Sequence, residues 1–330
     1  MTHDVALPEM SETMLRELRF SRLQRYRTIA RVLPYVYQQA LRKSFRSSPA
    51  ARASTAELDQ PEFGRLVHDL YCGMFLRGYR QSSGYPVDRA TGLLTVLFTV
   101  FIYSFDDEFE VRRRRGDSTD GDVILAASGV ADIWGTIGAY LDATGRDDEV
   151  RRSIKGVLLS ADFDTYRRNT AKALAKNNFG VTRQVVDFDS GTVLGIMYDL
   201  IRIFNGHPYH EHCALEFRNL GLAGKFLDDM ADYADDVRHE NPNLLDALAA
   251  TRAEEFASAR SALASGTLIT ARWWRDNCPA TFEEYFRWAF GHYNQVHAPA
   301  LRLPLDVYLM LLGTRRFWTI STVRASRRGS

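Results

Sequence analysis

The run Leu93 to Phe105 (LLTVLFTVFIYSF) is apolar on every side and continues without a break into Asp106-Asp107-Glu108-Phe109-Glu110. A helix that is hydrophobic all round has no face to give to water, so other elements must surround it. The apolar stretch Gly92 to Phe105 is too short to span a bilayer and ends on carboxylates, which makes it a buried core helix. The chain must therefore build a core thick enough to enclose a helix, with an acidic end at the floor or wall of an interior space. Carboxylates near a helix C-terminus face the negative pole of the macrodipole, so cations have to answer them. Asp106 and Glu110 are four apart and share a face.

The rest of the chain supplies helices to do the enclosing. Residues 10 to 45 carry helical periodicity through Leu15, Leu18, Leu23, Ile29, Val32 and Leu33, broken at Pro34. Ser47 to Thr55 (SSPAARAST) is small, polar and proline-bearing and reads as a linker. Periodicity predicts further helices over 58–77, 88–112, 119–143, 147–160, 162–177, 181–204, 208–240, 243–264, 266–275, 281–297 and 304–322. Strand signals are nearly absent: β-branched residues lie inside helical-period stretches, and no Asn-Gly or Asp-Gly joins alternating apolar runs. No fixed repeat suggests a solenoid. The expected fold is all-α, with an N-terminal arm and linker over 1–55, one helical bundle over 56–324 and a basic tail over 325–330.

Composition narrows the function classes. Hydrophobic residues are 45% and charged residues 25% of the 330, ordinary for a globular protein and unlike a disordered one. A formal net charge of +1 gives no field to draw in nucleic acid or an anionic membrane, so an anionic ligand would be held by a local cluster. The first residues, which include Asp4, Glu9 and Glu12, have no basic stretch followed by an apolar run, so no secretory signal is expected. Cys72, Cys213 and Cys278 lack metal-ligand spacing and read as reduced thiols of a cytoplasmic protein. No membrane insertion is expected, and a homodimer is left open.

The second acidic constellation is Gly224-Lys225-Phe226-Leu227-Asp228-Asp229-Met230-Ala231-Asp232-Tyr233-Ala234-Asp235-Asp236. On a helix, Asp228, Asp232 and Asp236 form a stripe roughly 12 Å long at about 1.5 Å per residue. Like charges at that spacing repel, and more strongly when desolvated. A hard divalent cation removes the repulsion. Mg²⁺ suits the donors, because one or two carboxylates hold it while water and phosphate oxygens complete its shell. Taken alone, each charge cluster is more often a solvated face, with Arg112 to Arg115 forming surface salt bridges to the first segment.

The pair of segments carries a family resemblance. LGLAGKFLDDMADYADD resembles the second aspartate-rich motif of trans-isoprenyl diphosphate synthases and the Asn/Asp-Asp-x-x-Ser/Thr-x-x-x-Glu motif of class I terpene synthases. FDDEFEVRRRRGDST resembles the first motif of the prenyltransferases, and Asn243-Leu244-Leu245 resembles the asparagine-led start of their next helix. The chain is thus similar, over about residues 90 to 250, to the class I isoprenoid synthases, and most to the bacterial terpene cyclases. The resemblance implies a single terpenoid-synthase bundle around a central apolar cavity. It implies Mg²⁺, three ions per site, held by Asp106, Glu110, Asp228, Asp232 and Asp236, with Asp107 beside them. It implies a prenyl diphosphate substrate, farnesyl or geranylgeranyl, that is ionised and cyclised. No Gly-Lys-x-x-Arg element stands upstream to hold isopentenyl diphosphate, which favours a cyclase over a chain-elongating enzyme. Ser190 to Met197 (SGTVLGIM) is similar to a stretch of the head-to-head synthases.

Four further positions follow from the resemblance. Arg183 stands where bacterial cyclases carry a diphosphate-sensing arginine, ahead of a helix break expected at Asp187 to Gly191 (DFDSG). Arg315 or Arg316, followed by Phe317, resembles their C-terminal Arg-Tyr pair. Lys225 shares a face with Asp228 and could reach a phosphate oxygen, or could instead pair with Asp229. Among the aromatics Phe98, Phe101, Tyr103, Phe105, Trp134, Phe188, Tyr198 and Phe226, a few would line the pocket and stabilise cations with their ring faces, Phe101 and Phe105 foremost. Most aromatics at helical spacing are simply core. His207, His210 and His212 (HPYHEH) read as an interhelical loop and not as a zinc site.

Overall fold

The computed structural model describes residues 73–88, 90–145, 149–176, 179–239, 243–249, 251–267 and 269–312. Among the described residues the chain is helical and contains no strand, as the periodicity predicts. The helices are α1 (Gly73–Ser83), α2 (Thr91–Arg115), α3 (Gly121–Leu125), α4 (Ser128–Ala143), α5 (Glu149–Leu158), α6 (Ala161–Lys176) and α7 (Phe179–Val186). A π-helical segment over Asp187–Thr192 joins α7 to α8 (Val193–Phe204). Then come α9 (Glu211–His239), a 3₁₀ turn over Asp246–Leu248, α10 (Ala253–Ala264), α11 (Ala271–Asn277), α12 (Pro279–Tyr293) and α13 (Pro299–Leu312). The expected arm and linker over 1–55, the beginning of the helix expected over 58–77 and the tail over 325–330 lie outside the described residues.

Local chemistry sets several of the boundaries. Gly116 ends α2 in the left-handed region (φ 72°), where Gly116 and Asp117 donate their N–H groups back to Arg113 O and Arg112 O, closing the last turn. Pro279 opens α12 at a position whose N–H has no helical partner anyway. The next two N–H groups, of Ala280 and Thr281, are taken by the Glu255 carboxylate at 3.0 and 2.7 Å, so a residue on α10 caps α12. The helix expected over 119–143 is two helices, because Ala127 is extended (ψ 134°) between α3 and α4. The one expected over 243–264 starts later: Asn243 to Leu245 form a turn pinned onto α9, and α10 begins only at Ala253.

The 29-residue α9 is the axis of the bundle, packed by α12, α8, the π segment, α13 and α1. Leu94, Phe98 and Phe101 of α2 are almost fully buried, so the all-apolar helix is enclosed. Around the far end of α9, Trp274 is fully buried against Tyr233 (4.9 Å between ring centroids) and Phe256 (5.4 Å). A side chain of that size contributes about 2–3 kcal/mol by burial. Among the described residues no helix is long and apolar enough to cross a membrane.

Candidate functional site

The first acidic segment lies in the last turns of α2. Asp107 is exposed, while Asp106 and Glu110 are partly buried. Glu110 turns toward the arginines behind it: Arg113 grips its two oxygens at 2.6 and 3.2 Å, and Arg114 lies 3.7 Å away. Glu108 pairs with Arg112 at 2.7 Å. The cations that the helix C-terminus calls for are thus supplied partly by the same helix, as the salt-bridge reading of Arg112 to Arg115 expects.

The second segment lies on α9, where Asp229 is fully buried. Lys225 Nζ approaches its Oδ1 at 2.8 Å, and its Oδ2 accepts the Leu244 N–H (3.0 Å) and the Tyr285 hydroxyl (2.9 Å). Burial pushes the Asp229 carboxyl up, and Lys225 and the Leu244 N–H pull it back down. Asn243 Nδ2 donates both to the Asp229 carbonyl (2.8 Å) and to Asp236 Oδ2 (2.9 Å), stapling the following turn to the helix. Asp236 is pushed up to about 6, chiefly by burial and further by the charges of Asp229 and Asp228. Asp228 is partly buried; Asp232 belongs to the helix, but its side chain is outside the described residues.

The π segment brings the two acidic segments together. Asp189, within it, is raised by burial and then by Asp229 on α9 and Glu110 on α2, against the pull of Lys225. Tyr166 of α6 is raised well above the usual phenol range by burial, then by Asp189, Asp106 and Glu110. Lys225 is opposed by burial, yet Asp229, Asp228, Asp189 and Asp236 together hold it well above the usual ammonium range. One ammonium thus serves carboxylates from both α9 and the π segment. Rings continue the contact: Tyr166 lies 4.9 Å from Phe188 and 5.4 Å from Phe109, and Phe163 meets both Phe105 (5.7 Å) and Phe188 (5.8 Å). Close backbone approach makes this seam narrow. A β-carbon on Gly221 of α9 would stand 2.1 Å from the Ser190 carbonyl oxygen, so only glycine fits there.

Oxygen donors dominate the seam, which suits a hard cation. Among the described residues, however, no three Asp, Glu, His or Cys side chains converge closely enough to hold a metal ion by themselves. An open cleft of about 300 Å³ lined by Arg252, Glu283, Glu284, Arg287 and Trp288 includes none of the seam's carboxylates.

Other expected residues fall elsewhere. Arg183 is exposed near the end of α7, where its charge and that of Arg218 act on His292 of α12. Burial first and those arginines next bring His292 down to about 4; its Nδ1 is 2.7 Å from Asn219 Oδ1 and its ring stacks on Phe226 at 5.5 Å. Phe101 and Phe105 are core rings, 0% and 6% exposed, with Phe101 against Trp134 at 5.2 Å. Lys225 makes the ion pair with Asp229 that was its alternative role. The histidines tie the loop after α8 and the start of α9 to α1: His207 Nδ1 meets the Tyr79 hydroxyl at 3.1 Å, and His212 Nε2 the Ser82 carbonyl at 2.8 Å. Arg315, Arg316 and Phe317, and the side chain of Tyr103, are outside the described residues. Asp189 and Tyr166 are the residues that sequence reasoning missed. Asp189 stood in the expected break, noticed only for its glycine, and Tyr166 carried no motif at all. No family model, curated protein or solved structure matches the chain.

Proposed function

We propose that the chain is a class I terpene cyclase, which ionises a linear prenyl diphosphate with Mg²⁺, cyclises the resulting cation and releases diphosphate. One observation carries the reading: Phe163 and Tyr166 bridge Phe105 and Phe109 of α2 to Phe188 of the π segment, against whose Ser190 backbone Gly221 of α9 packs, so two acidic segments far apart in sequence border one seam. Asp106 from α2, with Asp228, Asp232 and Asp236 from α9, would hold the metal. Glu110 would join them only by releasing Arg113. Mg²⁺ held there would draw the rest of its shell from water and diphosphate oxygens. Bound there, the metal would neutralise charge on the leaving group. Lys225 adds a fixed positive charge beside it. Asp229, Tyr285 and Asn243 fix the turn of α9 on which the carboxylates ride. Rings of the Phe105, Phe163 and Phe188 cluster are the apolar surface closest to the seam, suited to excluding water from a carbocation. The central apolar chamber of the terpenoid-synthase bundle belongs to this proposal.

The test is diphosphate release from farnesyl and geranylgeranyl diphosphate with Mg²⁺. Asp106→Ala and Asp228→Ala should each abolish it in folded protein, and full activity in either variant refutes the assignment. Adding isopentenyl diphosphate separates chain elongation, which would give longer products. A second reading, a helical interaction protein, draws support from the ion pairs that already occupy Glu110 and Lys225. Failure of Mg²⁺ and inorganic diphosphate to bind in a calorimeter would favour it.

A further inference from the structure

The seam holds a hydroxyl that the reading above leaves without a task. Tyr166 is wedged by three rings, with centroids of Phe188 at 4.9 Å, Phe109 at 5.4 Å and Phe163 at 5.9 Å. Phe109 sits inside the acidic segment of α2 and Phe188 stands next to Asp189, so the wedge fixes the phenol between the two acidic walls. Asp189, Asp106 and Glu110 all act on it electrostatically. Tyr166 is partly buried. Here Tyr166 Oη makes no hydrogen bond to any described residue: Asp189 is bonded by Ser190, and Glu110 by Arg113. Burial and the flanking negative charges keep the Tyr166 phenol protonated, hence a donor throughout the neutral range.

We propose that Tyr166 is a substrate-contacting residue whose O–H donates a hydrogen bond to a diphosphate oxygen of the bound substrate. The inference rests on the proposed function, since it assumes that the seam receives a diphosphate. No bond is made or broken at Tyr166; the three rings hold the plane of its ring, so the side chain loses little freedom on binding.

Calorimetric titration of inorganic diphosphate with MgCl₂ into the wild-type chain and Tyr166→Phe separates the two claims. Phenylalanine keeps the ring stack and removes only the donor. The expected result is a Kd for diphosphate raised about tenfold to a hundredfold, the range for a hydrogen bond to a charged group, at unchanged Tm. Equal affinity and equal turnover in the two proteins would overturn the role of Tyr166 while leaving the site standing. No binding by the wild-type chain would overturn both. As a packing control, Phe188→Leu loosens the stack but keeps the hydroxyl; weakening that matches Tyr166→Phe would assign the effect to packing and overturn the inference.

Discussion

The narrowest point of the molecule gives its most direct test. At Gly221 an added β-carbon would meet the Ser190 carbonyl oxygen at 2.1 Å, its carbon at 2.8 Å and the Leu194 β-carbon at 3.2 Å. Ordinary contacts need about 1 Å more at the oxygen, and the obstacle is backbone of the π segment, which cannot rotate aside as a side chain could. Gly221→Ala must therefore push α9 off the π segment, at the upper end of the overpacking range, about 3 kcal/mol. Replacing a mid-helix glycine returns about 1 kcal/mol, so the variant should be about 2 kcal/mol less stable. Gly224, one turn further along α9, meets nothing within 4 Å, and Gly224→Ala should gain about 1 kcal/mol. Urea denaturation followed by far-ultraviolet circular dichroism reads both. The two alanines should differ by roughly 3 kcal/mol at equal m-values. Equal midpoints would mean that α9 does not lie against Ser190, and the seam on which every functional argument rests would be gone.

Two further perturbations test the parts of the site separately. Asp229→Ala strands the Lys225 ammonium beside the Leu244 N–H and the Tyr285 hydroxyl, and should cost about 3–5 kcal/mol in denaturant; a loss below about 1 kcal/mol would show that the network is not structural. His292, held down at about 4 by burial and by Arg183 and Arg218, binds its proton more readily in the unfolded chain. A lowered histidine stabilises the fold above its unfolded value near 6.5 and loses that contribution as pH falls toward 4, about 3 kcal/mol in all. His292→Phe, which preserves the stack on Phe226, should flatten the stability profile over that window; parallel wild-type and variant profiles would refute the attribution.

The sequence made the helices and both acidic segments visible because each rests on local regularity. The period of the apolar residues gave α9 within a few residues of its ends, and α2 was marked by an apolar run that had to be enclosed. What stayed hidden was how those segments are joined. DFDSG could be read as a break from its glycine, but a π segment differs from an α-helix by one residue per turn, and that difference decides which side chains face α9. Through it Asp189 comes within electrostatic reach of Lys225, a residue whose partner on its own helix, Asp229, was the one that spacing suggested. Tyr166 was harder still, since an aromatic at helical spacing is core by default and no motif surrounds it. Charge pairing adds a local competitor: Glu110 matches a metal-ligand motif, and Arg113, three residues on, holds it in this structure. Local partners capture a carboxylate first, so a sequence motif names the carboxylates able to bind a metal more reliably than the ones left available to do so. In this chain that distinction puts the weight on α9 and on the π segment, where Lys225 pairs with Asp229 of its own helix and also feels Asp189 of the π segment.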